Sequence, residues 1–425
     1  MPIRFSIPLV ALALFVIIGL AAGRRESTGD PNVIKIVSSL PRSGSARGQT
    51  DTIVNGIKLA IHEADYKIEL TENGQPKTYT LKYLDLDDAT AAAGQWTIEQ
   101  EIANAYQARN DPDVMVYIGT YNSGAAKVSM PILNKADLLM ISPANTATSL
   151  TKPGWGDRHE PNCYRPSGRI NYTRVVPADD VQGAVAAQWT KDLGSKKVYI
   201  LDDNEVYGKG IADLYNATCK KLGIEVLGQE SIDFKQLEFQ PLLQRIQKLG
   251  PDLLYFGGTT QTKAGQIFKD MIAVGLKCPM MAPDGCYEQA MIDSAGKDSF
   301  EKAPFYVTFG GLPISELKEG KAPEFMASYE KLFHSPPKEA YAAYGYECGI
   351  VALDALRRAK VKNRDAVRVA GLQTKVVAKK LKDDDLVGVM GEWSFDSNGD
   401  TTSKKMSGNT VKGGEFVYVR TLELK

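Results

Sequence analysis

The chain has 425 residues, of which 43% are hydrophobic and 24% are charged, a composition typical of globular proteins rather than disordered or fibrous ones. Its 51 basic residues balance its 51 acidic residues, which gives no electrostatic preference for nucleic acid or anionic membranes. We therefore expect small molecules or proteins as partners and no nucleic acid. At about 100–200 residues per domain, the length predicts two domains or lobes.

The first 23 residues have the pattern of a secretory signal peptide. Arg4 supplies a positive charge, residues 7–20 form an apolar run, and residues 21–23 are small. The apolar run is shorter than the about 20 residues of a spanning helix, so we expect cleavage, with retention by an uncleaved segment as the alternative. Arg24 stands where a lipoprotein would carry its lipidated cysteine, which argues against a lipid anchor. The sequence predicts an exported protein, periplasmic or at the cell surface.

Strand and helix patterns then alternate as far as residue 141. The predicted strands are 33–37, 79–84, 114–119 and 138–141. The predicted helices are 52–64, 94–109 and 123–133. Such alternation predicts a parallel sheet covered by helices on both faces.

A second series follows an irregular segment. Residues 151–171 are rich in Pro, Gly, Asn and Arg without periodicity and are predicted to form a long loop. The predicted strands after it are 197–201, 225–229, 253–256 and 279–282. The predicted helices are 181–193, 208–222, 239–249 and 262–274. Two series separated by a loop predict two doubly wound α/β lobes.

The rhythm breaks in the tail of the chain. Residues 305–309 are a predicted strand, and residues 323–333 and 340–359 are predicted helices. Short strands are expected over 391–424, with a turn at 396–399. This turn has the Asp-x-Asn-Gly letters of a calcium loop but lacks the distal Glu, so we expect a hairpin turn.

Motifs of several enzyme classes are missing from the sequence. It has no dinucleotide-binding glycine fingerprint, no P-loop, no GxSxG elbow and no HExxH zinc motif. Its three histidines are far apart and no CxxC pair occurs, so we expect no metal and no cofactor. His159 and Cys163 are close in sequence, which would suit a thiol nucleophile with its base, but they lie in the irregular loop. A binding protein is therefore expected rather than an enzyme, and an exported amidohydrolase-type enzyme remains an alternative.

Five cysteines leave at least one unpaired within the chain. Cys278 and Cys286 flank a short loop and are candidates for a disulfide in an oxidising compartment. The sequence leaves both their oxidised and their reduced state open.

Short segments across nearly the whole chain share the order and spacing of one known family. They are 33–36 with 43–44, 55–60, 117–119, 139–146, 174–177, 179–183, 202–208, 255–258 and 282–285. Together they resemble the branched-chain amino acid and amide binding proteins of ABC transporters, which are type I periplasmic binding proteins. The resemblance implies two lobes joined by three crossover segments, with the solute in the cleft between them.

The resemblance also implies where the chain divides. Lobe 1 would comprise residues 32–174 and 310–388. Lobe 2 would comprise residues 175–309 and 389–425. The helices of the tail would then belong to lobe 1 and its last strands to lobe 2.

Ligand-contacting positions in both lobes follow from the same resemblance. In lobe 1, Ser123 at the start of a helix would receive a solute carboxylate. Ala144 and Thr146 would bind the α-groups of an amino acid. In lobe 2, Tyr207 would close over the solute and Asp284 would pair with its α-ammonium. Each position also suits an ordinary role in a helix cap, a turn or the core.

Three further positions concern the choice of solute. Tyr341 matches an aromatic beside the side-chain pocket. Gln49 and Thr259 stand where the family has aromatics, and Asp284 stands where it usually has the longer Glu. A more polar pocket favours a polar amino acid, an amide or a short peptide-like solute over leucine or valine.

The implied function is capture of a small polar solute by closure of the lobes. An ABC transporter permease in the membrane would recognise the closed form, and we expect a monomer. A ligand-sensing receptor of the same fold is the second alternative.

Overall fold

The computed structural model describes residues 29–72 and 74–424, and the predicted signal peptide at 1–23 lies outside them. The first eight strands are β1 (Val33–Leu40), β2 (Lys67–Glu72), β3 (Gln75–Asp87), β4 (Ala89–Thr90), β5 (Gln95–Trp96), β6 (Val114–Gly119), β7 (Leu139–Ser142) and β8 (Tyr172–Arg174). The helices among them are α1 (Arg47–Glu63), α2 (Ile98–Asn110) and α3 (Ser123–Asn134). Six strands form the first sheet in the order β2-β3-β1-β6-β7-β8, and all its pairs are parallel except β2 with β3.

A second series of alternating helices and strands builds the second sheet and its helix layers. In chain order its elements are α4 (Asp179–Asp192), β9 (Lys197–Asp202), α5 (Val206–Lys221), β10 (Glu225–Ser231), α6 (Gln240–Leu249), β11 (Leu253–Gly257), α7 (Ala264–Ala273), β12 (Met280–Ala282), α8 (Gln289–Ala295) and β13 (Phe305–Gly310). Strands β6 and β11 are buried along their whole length, as expected for central parallel strands between two helix layers.

The tail of the chain contributes helices to the first lobe and strands to the second. It comprises α9 (Ala322–Phe333), α10 (Ala342–Ala359), α11 (Arg364–Leu372), β14 (Lys375–Val377), β15 (Leu386–Val387), β16 (Trp393–Ser394), β17 (Met406–Lys412) and β18 (Glu415–Leu422). Helix α10 packs on α1 of the first lobe, whereas β17 and β18 complete the second sheet in the order β10-β9-β11-β12-β13-β17-β18. Strands β14 to β16 form a small third sheet. The expected two-lobed α/β fold is confirmed, and the residue boundaries of the lobes stay a prediction.

Short 3-10 helices punctuate the loops. They are Thr148–Leu150, Asn162–Tyr164, Thr260–Thr262, Asp284–Cys286, Lys297–Glu301 and Ile314–Glu316. Residues 151–171 contain one of these turns and otherwise form bends and turns, as the sequence predicts. None of the helices in the described ranges has the length and apolarity to cross a membrane.

Glycines let α1 and α10 approach each other closely. A Cβ atom at Gly56 would lie 2.2 Å from the carbonyl oxygen of Ala342, and one at Gly345 would lie 2.1 Å from that of Ile53. Since real atoms do not approach this closely, any larger residue at either position would force the helices apart. This contact fixes the start of α10, and Tyr341 directly before it, against the first lobe.

The disulfide considered between Cys278 and Cys286 is not formed in the structure, where both are free thiols. Cys278 precedes β12 and Cys286 follows it. The two residues thus lie at opposite ends of this strand. The buried Cys286 thiol instead donates to the carbonyl oxygen of Gly258, at 3.5 Å.

A buried ion pair stands where the chain leaves the first sheet. The guanidinium of Arg174, fully buried, donates from Nε to Asp400 at 2.7 Å and from its terminal nitrogens to the Ala147 carbonyl and the Thr151 hydroxyl. Burial alone would raise the pKa of Asp400, but the charge of Arg174 holds that pKa below its ordinary value. The pair thereby joins the end of β8 to the loop after β7 and to the turn that precedes β17.

Replacement of Arg174 by Met should destabilise the fold strongly, because it leaves the Asp400 carboxylate buried without its main partner. We expect the free energy of unfolding in urea to fall by about 3–5 kcal/mol. Arg245→Met is the matched control, because the Arg245–Glu230 pair is exposed and should contribute little. Equal losses in the two variants would contradict this role for Arg174.

Candidate functional site

Six of the eight predicted ligand positions meet in one cavity between the lobes. Its lining residues are Tyr121, Asn122, Ser123, Ala144, Tyr207, Thr259, Asp284, Gly285 and Tyr341. Ser123 and Ala144 follow strands of the first sheet, and Thr259 and Asp284 follow strands of the second. The cavity thus lies at the carboxyl ends of both parallel sheets, where α/β proteins bind ligands. Its volume of about 20 Å³ is room for about one water molecule, so a larger solute requires the lobes to lie farther apart than in this structure.

The carboxylate of Asp284 connects the two lobes across this cavity. Its Oδ1 accepts a hydrogen bond of 2.6 Å from the hydroxyl of Tyr207, which belongs to α5 of the second lobe. Its Oδ2 accepts a hydrogen bond from the hydroxyl of Tyr341, which precedes α10 on the first lobe. The backbone N–H of Gly285 donates to the Tyr207 oxygen at 3.3 Å. One buried carboxylate therefore holds an aromatic side chain from each lobe.

No cation compensates this carboxylate within the described ranges. Asp284 is buried and forms no ion pair with a lysine, arginine or histidine of residues 29–72 and 74–424. Burial raises the pKa of Asp284, and hydrogen bonds from Tyr207, Tyr341 and Gln182 oppose that rise. A buried carboxylate without a counter-charge is costly, and a positively charged group in the cavity would relieve that cost.

A second buried acid lies close enough to Asp284 to interact with it electrostatically. Asp179 begins α4 and is fully buried. Burial and the nearby charge of Asp284 raise its pKa well above the ordinary value, while Thr146 and Arg174 lower it. Because the two carboxylates repel each other, the cleft favours a cation over an anion at this end.

The opposite wall offers backbone donors. Ser123 is the first residue of α3, and its hydroxyl accepts a hydrogen bond of 3.3 Å from the backbone N–H of Ala147. The first N–H groups of a helix have no partner inside the helix and favour negative charge. A Cβ atom at Gly124 would lie 2.6 Å from the ring of Trp96, so the chain passes close under this indole. A solute carboxylate would find its donors at this helix end.

Gln49 and Thr146 do not line the cavity. The Gln49 side chain is fully buried, donates to the carbonyl oxygen of Tyr287 at 2.9 Å and accepts from the hydroxyl of Tyr121. It therefore links α1 to the second lobe and orients Tyr121, which does line the cavity. Thr146 is buried beside Asp179, where its hydroxyl lowers the pKa of that acid.

Sequence reasoning missed Tyr121, Asn122 and Gly285. Tyr121 and Asn122 lie between the end of β6 and Ser123, so their position after a central strand could have indicated that they line the cleft. Gly285 adjoins Asp284, and a Cβ atom there would lie 2.8 Å from Cγ2 of Thr259. Backbone contacts of this kind leave no trace in a single sequence.

The residues that suggested an enzyme do not form a catalytic pair. The Nε2 atom of His159 accepts a hydrogen bond of 3.0 Å from Arg158, and Cys163 is exposed. Over the part of the chain that the structure describes, no hydrogen bond joins the His159 and Cys163 side chains, and no group of three or more His, Cys, Asp or Glu could hold a metal ion.

Known proteins share both sequence and fold with this chain. The family model for periplasmic binding proteins matches residues 33–415. An amino acid binding protein of Pseudomonas aeruginosa is 26% identical over 321 residues, which are 75% of this chain and 76% of the relative. A leucine binding protein of Thermotoga maritima superposes with a TM-score of 0.76 at 22% identity, over 92% of this chain and 99% of that one. An ABC transporter solute binding protein of R. palustris in complex with benzoate has a TM-score of 0.72 at 18% identity, over 92% and 96% of the two chains.

The raised pKa of Asp284 predicts how stability depends on pH. The folded protein holds this proton more tightly than the unfolded chain, whose carboxyl has its ordinary value of 3.8. The stabilisation is therefore complete below about pH 4 and is lost as the pH rises through the folded pKa. Because Asn does not titrate, the melting temperature of Asp284→Asn should fall less than that of the native chain as the pH rises above about 4.

The control for this comparison is Asp298→Asn, because Asp298 is exposed and lies outside the cleft. Its melting temperature should follow the native pH profile. Parallel profiles for the native chain and Asp284→Asn would show that Asp284 titrates normally in the fold.

Proposed function

The chain belongs to the periplasmic binding protein family, and from this premise we propose that it captures a small polar solute bearing an amino group. The solute binds in the cleft between the lobes and is delivered to an ABC transporter permease. The observation that carries the proposal is the buried Asp284, which has no cation beside it in the described ranges and contacts tyrosines of both lobes.

The charge of the cleft favours an amino acid or amine over a simple carboxylic acid. The R. palustris protein binds benzoate and the T. maritima protein is named for leucine. In the present cleft, a lone carboxylate would be a further buried acid beside Asp284 and Asp179, which already raise each other's cost of ionisation. A zwitterion avoids this conflict, because its ammonium pairs with Asp284 while its carboxylate reaches the first N–H groups of α3 at Ser123.

The preference for a polar side chain rests on fewer residues than the sequence indicates. The polar atoms of Gln49 are occupied by Tyr121 and Tyr287 and do not face the cavity. The hydroxyl of Thr259 is engaged with Thr262 in a capping box. The polar side chains that line the cavity are therefore those of Asp284, the tyrosines, Asn122 and Ser123 besides Thr259, and these favour polar amino acids, amides or short peptide-like solutes.

Binding is coupled to closure. The solute contacts Ser123 and Ala144 on one lobe and Tyr207 and Asp284 on the other, so the full set of contacts exists only in the closed form. A ligand with higher affinity for the closed form shifts the population toward it. The permease then recognises the closed lobes.

The location of the protein, its oligomeric state and its lack of enzyme activity are also proposals. We infer export, periplasmic or cell-surface location and a monomeric chain that is not an enzyme, in keeping with a family of solute-binding proteins. Cleavage of residues 1–23 belongs to the proposal as well. Among residues 29–72 and 74–424, no observation favours a sensing receptor or an amidohydrolase.

A thermal-shift panel tests the proposed solute class. Amino acids, amides, urea, dipeptides and benzoate-type acids are added in turn to the mature chain. We expect polar amino-bearing solutes to raise the melting temperature, since a ligand at 100 times its Kd adds about 2.7 kcal/mol of stability. The proposal is wrong if no solute raises the melting temperature, or if only the acids without an amino group do so.

A further inference from the structure

A second cavity between the lobes is separate from the solute site. Its volume is about 460 Å³, within the size range of small-molecule sites, and it shares no lining residue with the cavity at Asp284. One wall is formed by α3 and the start of the long loop, including Trp155. The other wall is formed by the first turns of α5, including Glu205, and Asp179 of α4 adjoins them. Both lobes contribute walls, so this cavity takes its shape only when the lobes are closed.

The positive charges of this cavity are already paired. Lys127 lies 2.7 Å from the carboxylate of Glu160, and Lys209 lies 2.9 Å from that of Asp213. These contacts neutralise both amines without any added group. The remaining charged groups on the walls are acids.

Asp179 is the most constrained of these acids. It is fully buried, and neither of its carboxylate oxygens has a hydrogen-bond partner of normal geometry in the described ranges. Glu205 at the start of α5 has no side-chain partner there either, and partial burial raises its pKa. Glu205 is accessible from the cavity and Asp179 is buried behind its wall, so the two acids together favour a positively charged occupant.

Trp155 indicates what kind of cation fits. Its side chain is half exposed although it lies on the cavity wall between Gly154 and Gly156. An indole face attracts ammonium and guanidinium groups and also packs against apolar carbon atoms. A bare metal ion is disfavoured, since no cluster of three or more metal-ligating side chains occurs among residues 29–72 and 74–424.

We propose that this cavity is a second binding site, for an organic cation whose ammonium or guanidinium group pairs with Glu205 and is attracted by the buried Asp179 behind the wall, while its apolar part stacks on Trp155. Because the walls come from both lobes, the bound cation stabilises the closed form. It therefore raises affinity at the solute site, and the solute raises affinity for the cation by the same factor. The coupling rests on the proposed closure, whereas the site itself does not.

The binding test uses phenethylamine and butylguanidine as probes, with phenylacetate as the anionic control. Calorimetry is performed on the Asp284→Asn chain, so that an amine cannot be held by the carboxylate of the solute site. Both cations should bind and phenylacetate should not. Adding Glu205→Gln should weaken cation binding about 10-fold, and adding Trp155→Ala should weaken it several-fold, whereas adding Asp298→Asn should leave it unchanged.

Two results would overturn the site. One is the absence of cation binding to the Asp284→Asn chain. The other is binding that neither Glu205→Gln nor Trp155→Ala changes. Both variants alter partly exposed side chains, so both should fold and remain informative. The coupling is tested on the native chain: a solute affinity unchanged by saturating butylguanidine would overturn it while leaving the site in place.

Discussion

The cleft between the lobes is organised around one buried carboxylate, which has no cation beside it in the described part of the chain. Asp284 lies at the end of β12 and holds the hydroxyls of Tyr207 and Tyr341, which come from opposite lobes. Closing the lobes buries this charge, and burial without a counter-charge is costly. In the proposed function, an ammonium group removes that cost and adds contacts to both lobes. Recognition of the solute and closure of the cleft would then be one event.

The rest of the fold keeps the two walls in place. The parallel sheets direct their carboxyl ends toward a common cleft, and the glycine-mediated contact of α1 with α10 fixes Tyr341 on the first wall. The buried Arg174–Asp400 pair joins the segments that pass between the lobes. Asp179 lies between the solute cavity and the larger cavity. It interacts electrostatically with Asp284 of the solute cavity, and it lines the larger cavity.

Much of this architecture could be predicted from the sequence because parallel α/β folds obey simple rules. Alternating patterns gave two lobes, and positions after strands, such as Ser123 and Asp284, had to meet at the sheet edges. The sequence could not show that Gln49 turns away to bond Tyr287, a partner 238 residues distant. It also missed α11, whose nine residues are too few for a periodic signal although Asn363 caps them. The second cavity depends on how the long loop folds, which no local pattern encodes.

Calorimetric titration of an amino-bearing solute into the native chain and Asp284→Asn, in buffers of different ionisation enthalpy, tests the central claim most directly. If Asp284 holds the ammonium, the variant should bind about 10- to 100-fold more weakly, as expected for loss of a hydrogen bond between charged groups. The native chain should also release protons on binding in weakly acidic buffer, because the ammonium lowers the raised pKa of Asp284, and the variant should release fewer. Equal affinity and equal proton release in the two proteins would contradict the account.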